Sequence, residues 1–190
     1  MSNIYHLKVT VLGIKPPIWR RLELSSATKL GQLHRILQIA FGWEDYHLHE
    51  FRFGSQRYGV PEPDMNGFGD PVLSEKSVRL SCVMSKPRQK MLYLYDFGDD
   101  WHVEILLESI KPPVADARYP RCIAGARSAP PEDSGGPWGY EAMLEALADP
   151  QHERHEELAE WCGPDFDPEA FSAYSITVDL LKRKSLAAKE

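Results

Sequence analysis

The run Lys90-Met-Leu-Tyr-Leu-Tyr-Asp-Phe-Gly-Asp-Asp-Trp-His-Val-Glu-Ile-Leu-Leu-Glu108 decides the fold. Two apolar and aromatic stretches flank Phe97-Gly-Asp-Asp100, a short turn-forming connection, and that pattern specifies an antiparallel β-hairpin. Towards the N-terminus, Ile4-Tyr-His-Leu-Lys-Val-Thr-Val-Leu12 nearly alternates and reads as a strand, broken by Gly13 to Pro17. Ile18 to Leu24 resumes with Ile18, Arg20, Leu22 and Leu24 on one face, which makes an antiparallel pair with the first run. Thr28 is placed to cap a helix whose Leu30, Leu33, Leu37, Ala40 and Phe41 form one stripe, with Gly42 as its stop. His47-Leu-His-Glu-Phe-Arg-Phe53 reads as a third strand closing at Gly54. Residues 55–75, rich in Gly and Pro, read as one irregular loop, and Val78 to Met84 is ambiguous.

On the other side of the hairpin the character changes after Pro112-Pro113. Tyr119 to Gly136 is rich in Pro, Gly, Ser and Arg and reads as a loop. Three helices are expected after it. The first starts near Pro137 and buries Tyr140, Met143, Leu144 and Leu147. The second starts at Asp149-Pro150 and stops at Gly163-Pro164, and the third starts at Asp167-Pro168. The fold class is α+β: a mainly antiparallel sheet with one early helix, and a helical, acidic C-terminal part packed on it. One domain is expected over 1–190, sheet-rich from 1 to 111 and loop and helix from 112 to 190.

Composition excludes several classes of function. At 190 residues, 43% hydrophobic and 26% charged, the chain can bury about two-thirds of its unfolded surface, so its core needs neither disulfides nor metal. No apolar run approaches the ~20 residues of a membrane span, and the first residues lack a signal-peptide pattern. Cys82, Cys122 and Cys162 are odd in number and far apart, which fits a reducing cytoplasm. Residues 1–60 carry eight Lys/Arg against four acids, whereas 130–170 carry twelve acids against Arg154 alone. With a net charge of −6, any nucleic-acid association is weak or indirect, and the expected partner is another protein.

Asp96-Phe-Gly-Asp-Asp-Trp-His102 packs three carboxylates and an imidazole into seven residues at the hairpin tip. Either Asp96, Asp99, Asp100 and His102 serve a hard cation or acid–base chemistry, or Asp96 and Asp99 accept turn N–H groups while Gly98 supplies a positive φ. His47 and His49, two apart on a strand, face one side and are weak zinc candidates together with Cys122. His152, His155 and Glu156 have ligand spacing on an acidic helix. Ser134-Gly-Gly-Pro-Trp-Gly-Tyr140 lacks a P-loop lysine and follows Glu132 and Asp133, so it is a rigid turn rather than a phosphate cradle. Glu132, Asp133, Trp138 and Tyr140, with the two histidines, form the candidate binding surface. No cofactor is expected.

Five segments, in order, carry a family resemblance: Lys15-Pro-Pro-Ile-Trp-Arg-Arg21, His47-Leu-His-Glu-Phe51, Tyr93-Leu-Tyr-Asp-Phe-Gly-Asp-Asp-Trp101, Tyr119-Pro-Arg-Cys-Ile-Ala-Gly125 and Pro130-Pro-Glu-Asp-Ser-Gly-Gly-Pro-Trp-Gly-Tyr140. From Ile4 to Leu181 the chain resembles the Ri-plasmid open-reading-frame-three-like family. The resemblance implies an α+β fold and carriage on plasmids, insertion elements and bacterial chromosomes. Some relatives are labelled resolvases or transposon accessory proteins. Relatives often have cysteines flanking Pro-Pro-Glu-Asp that would join the Cys122 position in a zinc cluster, and many have Trp-x-His after the hairpin. Here those places hold Ala129, Ser134 and Val103, so the cluster is not expected, and no recombinase residue set is recognisable.

Two functions of different class fit these features. The first is a non-catalytic binding or accessory protein of plasmids or mobile elements. The second is a small divalent-metal-dependent hydrolase or nuclease-like enzyme, in which the Asp96–Asp100 hairpin converges with nearby histidines.

Overall fold

The computed structural model of the chain describes residues 2–61 and 71–182. Its strands are β1 (Ile4–Val11), β2 (Ile18–Ser25), β3 (His49–Phe53), β4 (Gln56–Gly59), β5 (Val72–Ser74), β6 (Lys90–Tyr95), β7 (Trp101–Lys111) and β8 (Arg121–Ala126). Its helices are α1 (Leu30–Phe41), α2 (Leu80–Val83), α3 (Gly136–Ala148), α4 (His155–Cys162) and α5 (Ala173–Lys182). The strands form one sheet in the order β5-β4-β3-β6-β7-β1-β2-β8, antiparallel throughout except between β4 and β5. The fold is α+β.

Period-two alternation gives the sheet its two faces. Leu7, Val9 and Val11 of β1, Leu22 and Leu24 of β2, Met91, Tyr93 and Tyr95 of β6, and Val103, Ile105 and Leu107 of β7 are all buried in one core. Helix α1 lays Leu30, Leu33, Leu37 and Phe41 into that core. The opposite face is polar, with Arg21 paired to Glu108, Lys90 to Glu104 and Arg121 to Glu23. Helix α1 stops at Gly42, whose φ of 76° is the left-handed value that ends helices. Trp43 then plugs the end of the sheet, stacked 4.9 Å from Tyr95, with its Nε1–H donated to the Pro130 carbonyl. That anchor starts the segment carrying the site residues.

Several expected boundaries differ. The α1 cap is Lys29, whose N–H is taken by the Gln32 side chain at 3.0 Å, not Thr28. Strand β3 begins at His49 rather than His47. The expected loop 55–75 contains β4 and β5, while residues 62–70 lie outside the described residues. Part of the Tyr119–Gly136 loop is edge strand β8, so the 112–190 part also contributes to the sheet. Its free edge is covered by α5: Thr177 Oγ1 accepts the Cys122 N–H and donates to the Cys122 carbonyl. Asp149 and Asp167 do not start helices. Each accepts an N–H two residues on, from Gln151 and Glu169, and makes a local turn, so α4 and α5 begin later.

No helix among the described residues is long and apolar enough to cross a membrane. Cys82, Cys122 and Cys162 are free thiols.

Candidate cation site at the hairpin end

Three chain segments meet at the end of the sheet where β6 turns into β7. The segment after α1 brings His47, the hairpin brings Asp96, and the Pro130–Gly135 loop brings Glu132 and Asp133. His47 Nε2 lies 3.3 Å from Asp133 Oδ1, 3.6 Å from Asp96 Oδ2 and 3.8 Å from Glu132 Oε2. It makes no hydrogen bond to any of them and is cut off from solvent. A ligand atom from each of His47, Asp96 and Asp133 lies within 4.8 Å of the others. Corners of a coordination sphere with ~2.1–2.4 Å bonds stand about 3.0–3.5 Å apart when adjacent and about 4.2–4.8 Å apart when opposite. The His47 distances of 3.3, 3.6 and 3.8 Å begin within the adjacent-corner range and run slightly beyond it.

Two of the three carboxylates, Asp96 and Glu132, are also fixed from behind. Asp96 donates its N–H to the Leu48 carbonyl and accepts the Gly98 N–H on Oδ1 at 2.9 Å, which leaves Oδ2 facing His47. Glu132 Oε1 accepts the Tyr95 hydroxyl and the Glu44 N–H, both at 2.7 Å, and Oε2 faces inward. Burial and the Glu132 hydrogen bond hold the Tyr95 phenol well above its ordinary range, so it stays a donor. Asp133 is the open side, with 72% of its side chain exposed. No Lys or Arg among the described residues forms an ion pair with these three carboxylates.

A second cluster lies next to the first. His34 of α1 and His49 of β3 stack face to face at 3.5 Å with 4° between their planes. Here the hydrogen bonds close. Gln38 donates to the Tyr93 oxygen, and the Tyr93 hydroxyl meets His34 Nδ1 at 2.8 Å. His34 Nε2 meets Asp45 at 2.7 Å, and His49 Nε2 meets Glu75 at 2.8 Å. Burial holds the His34 imidazole below its ordinary value, and the hydrogen bond to His34 lowers Asp45. His34, Asp45 and His49 have the proximity of metal ligands. Their stacking opposes it: an ion midway between the planes at ~2.1 Å would stand roughly 55° out of each ring, away from the in-plane lone pairs.

The remaining sequence-derived candidates separate. Asp99 Oδ2 accepts the Gly135 N–H, and Asp100 pairs outward with His102. Asp99, Asp100 and His102 therefore stand outside the group that brings His47 and Asp96 together with Asp133. The positive φ values at the tip belong to Asp96 and Asp100, not Gly98. Gly136, at φ 67°, is a glycine the packing requires, because a Cβ there would strike the Asp99 carbonyl. His47 and His49 share a face but serve different clusters. Cys122, on β8, lies five strand positions from β3, about 24 Å away, and joins neither histidine. Tyr140 is fully buried and belongs to the core, whereas Trp138 is 86% exposed. His155 bonds the Ala146 carbonyl and His152 the Arg154 N–H, so that pair does not meet. Sequence reasoning missed His34, Asp45 and Glu75. His34 and Gln38, polar residues at i and i+4 beside the apolar stripe of α1, were the available signal.

Comparison with known proteins adds relatives that match over nearly their whole length. A family model described as plasmid pRiA4b ORF-3-like protein matches residues 3–175. A Sinorhizobium fredii protein called Uncharacterized protein y4hQ is 40% identical over 188 residues, covering 97% of this chain and 95% of its own. The crystal structure of a protein of unknown function, MM3350, from Methanosarcina mazei Go1 is 43% identical with a TM-score of 0.83. That match covers 92% of this chain and 98% of the other.

Proposed function

This chain belongs to the plasmid pRiA4b ORF-3-like family, and we propose that it is a cation-dependent protein-binding module, in keeping with an accessory role in plasmids or mobile elements. The observation that carries this reading is the buried, unbonded His47 Nε2 facing three carboxylates from separate places in the chain. Without a counter-ion those carboxylates repel one another, and a divalent ion converts the repulsion into a clamp. One imidazole and three carboxylates, with no thiolate, suit Mn²⁺, Mg²⁺ or Ca²⁺ better than a structural zinc.

The clamp also sets the positions of exposed apolar side chains. Tyr46 and Leu48 flank His47, Phe97 follows Asp96, and Trp138 lies shortly after Asp133, all of them exposed. Exposed aromatic residues on one end of a molecule favour a protein partner. The exposed acids Asp100 and Asp133, with the half-buried Asp99, disfavour a phosphate backbone.

The test is a melting experiment on EDTA-treated protein with Mn²⁺, Mg²⁺ and Ca²⁺ added singly. At least one ion should raise the Tm of the wild type by mass action and leave Asp96→Asn unmoved. Asparagine keeps the Gly98 contact and tolerates the left-handed φ of 55°. No rise with any of the three ions, or an undiminished rise in Asp96→Asn, overturns the reading.

A further inference from the structure

We propose that the open groove over Arg20 is a binding site for a small monocarboxylic acid with an apolar, ring-sized body, separate from the cation site. The groove has a volume of about 620 Å³ and runs between the end of α1, residues 128–131, residues 162–171 and the first turn of α5. Volumes of this order accommodate small molecules. Its walls are apolar, built from Ile39, Phe41, Pro131, Phe166, Phe171 and Ile176. Among the described residues that line it, Arg20 is the one that carries a charge.

Alternation along β2 puts Arg20 on the core face between Ile18 and Leu22, and only 3% of it is exposed. Its Nε donates to the Ala40 carbonyl at 3.0 Å, and Nη1 donates to the Trp19 and Ala126 carbonyls at 2.9 and 2.8 Å. Phe41 and Phe171 flank the guanidinium, with ring centroids 5.4 and 5.1 Å from Cζ. Phe171 in turn lies on Gly125, where a Cβ would strike its ring. These contacts fix the group, yet the two N–H donors of Nη2 have no partner among the described residues. With Nε and Nη1 turned to the backbone, Nη2 is the donor left for the groove. Burial pushes the guanidinium down to about 10, so it is charged at neutral pH. The titratable group it feels is the Cys122 thiol, which burial keeps protonated and which therefore supplies no counter-charge.

Charge and wall chemistry together select the ligand. A buried cation without a counter-ion is costly, and carbonyl dipoles answer it only in part. A carboxylate oxygen accepts a charge-assisted bond from Nη2. One negative charge neutralises the groove, whereas the two of a phosphate monoester would leave a net negative charge against the same apolar walls. Those walls bury an apolar body, and Phe41 and Phe171 favour a ring. The first turn of α5 adds to the preference for an anion, since Ser172 and Ser175 border the groove and that turn holds no acidic residue. Asp165, Asp167 and Glu169 are exposed and do not line the groove.

NMR titrations in EDTA, which keeps any cation site empty, test the site with one acid and its isosteres. Sodium phenylacetate should bind the wild type at millimolar concentrations and shift the methyl signals of Ile39 and Ile176. Phenylacetamide, which keeps the ring and the shape but not the charge, should bind roughly tenfold more weakly. Acetate and inorganic phosphate should leave those signals unmoved up to about 10 mM. Ala170→Glu adds a carboxylate at the exposed rim, should melt no lower than the wild type, and should bind phenylacetate about fivefold more weakly. Arg20→Lys keeps the charge without Nη2 and should also bind about tenfold more weakly. The isostere series is read on the wild type and decides the matter even where Arg20→Lys fails to fold. Methyl signals unmoved by phenylacetate, equal affinity for phenylacetamide, or undiminished binding by Ala170→Glu overturns the proposal. A peptide ending in a free phenylalanine carboxylate that binds roughly tenfold more tightly than phenylacetate overturns the small-molecule assignment.

Discussion

His47 and His49 stand two residues apart and face the same side of the molecule, yet their surroundings differ in kind. Around His49 the donors and acceptors close into pairs: Glu75 takes its Nε2, and the stacked His34 is held by Asp45 and Tyr93. Around His47 three carboxylates stand at 3.3–3.8 Å from a nitrogen that bonds none of them. Buried polar groups in folded proteins are almost always hydrogen-bonded, so a closed network is internal structure and an open one is a place for something else. The same residue types therefore give a scaffold in one case and a candidate ligand site in the other.

The comparison breaks most visibly at Tyr93. Its hydroxyl is fully buried between Gln38 and His34, so Tyr93→Phe strips both of a partner. The expected cost is about 2–4 kcal/mol in urea unfolding, with the response to cations unchanged. A cost below ~1 kcal/mol would show that the closed network is not structural.

Acidification should give the next largest effect. Burial places the folded-state value of His34 below its ordinary 6.5, so above that pH neither state binds the proton and the residue adds no pH dependence. As the pH falls below 6.5 the unfolded chain takes the proton first, and stability drops until the folded imidazole titrates too. Asp45, lowered by its bond to His34, contributes stability that persists until the pH falls through its own depressed value, a lower window. Unfolding free energies of the wild type should fall between pH 7 and 5, more steeply than those of His34→Gln. Parallel curves for the two proteins would contradict this sign.

The hairpin tip sharpens the contrast at a smaller scale. Asp99→Ala removes the acceptor of the Gly135 N–H and should cost about 0.5–1.5 kcal/mol. Asp100→Ala breaks only an exposed pair with His102 and should cost less than ~0.5 kcal/mol. Neither change should alter cation binding, and a loss of cation response in Asp99→Ala would move that residue into the site.

Much of the architecture was legible because it depends on local periodicity. The β6–β7 hairpin, the β1–β2 pair and the α1 stripe follow from alternation, helical spacing and Gly42. Strand β8 was hidden because Arg-Cys-Ile-Ala-Gly-Ala has small side chains and weak strand preference, and only pairing with β2 and cover from α5 stabilise it. The Asp-Pro pairs misled because an aspartate that accepts an N–H two residues on closes a turn as readily as it caps a helix. At the site, His47, Asp96, Glu132 and Asp133 were legible as residues, but their convergence depends on where Trp43 and Tyr95 fix three separate segments. Tyr140 was assigned to the binding surface although its spacing with Met143 and Leu147 already placed it on a buried helical stripe.

The most direct test of the difference between the two histidine environments uses Mn²⁺ as a paramagnetic probe of ¹⁵N-histidine-labelled protein. The imidazole signals of His47 should broaden first on substoichiometric addition, before those of the half-buried His102 and the exposed His152, and the effect should vanish in Asp96→Asn. His47 signals that stay sharp up to about 5 mM Mn²⁺, or broadening centred on His34 and His49, would contradict the assignment of the open cluster as the cation site.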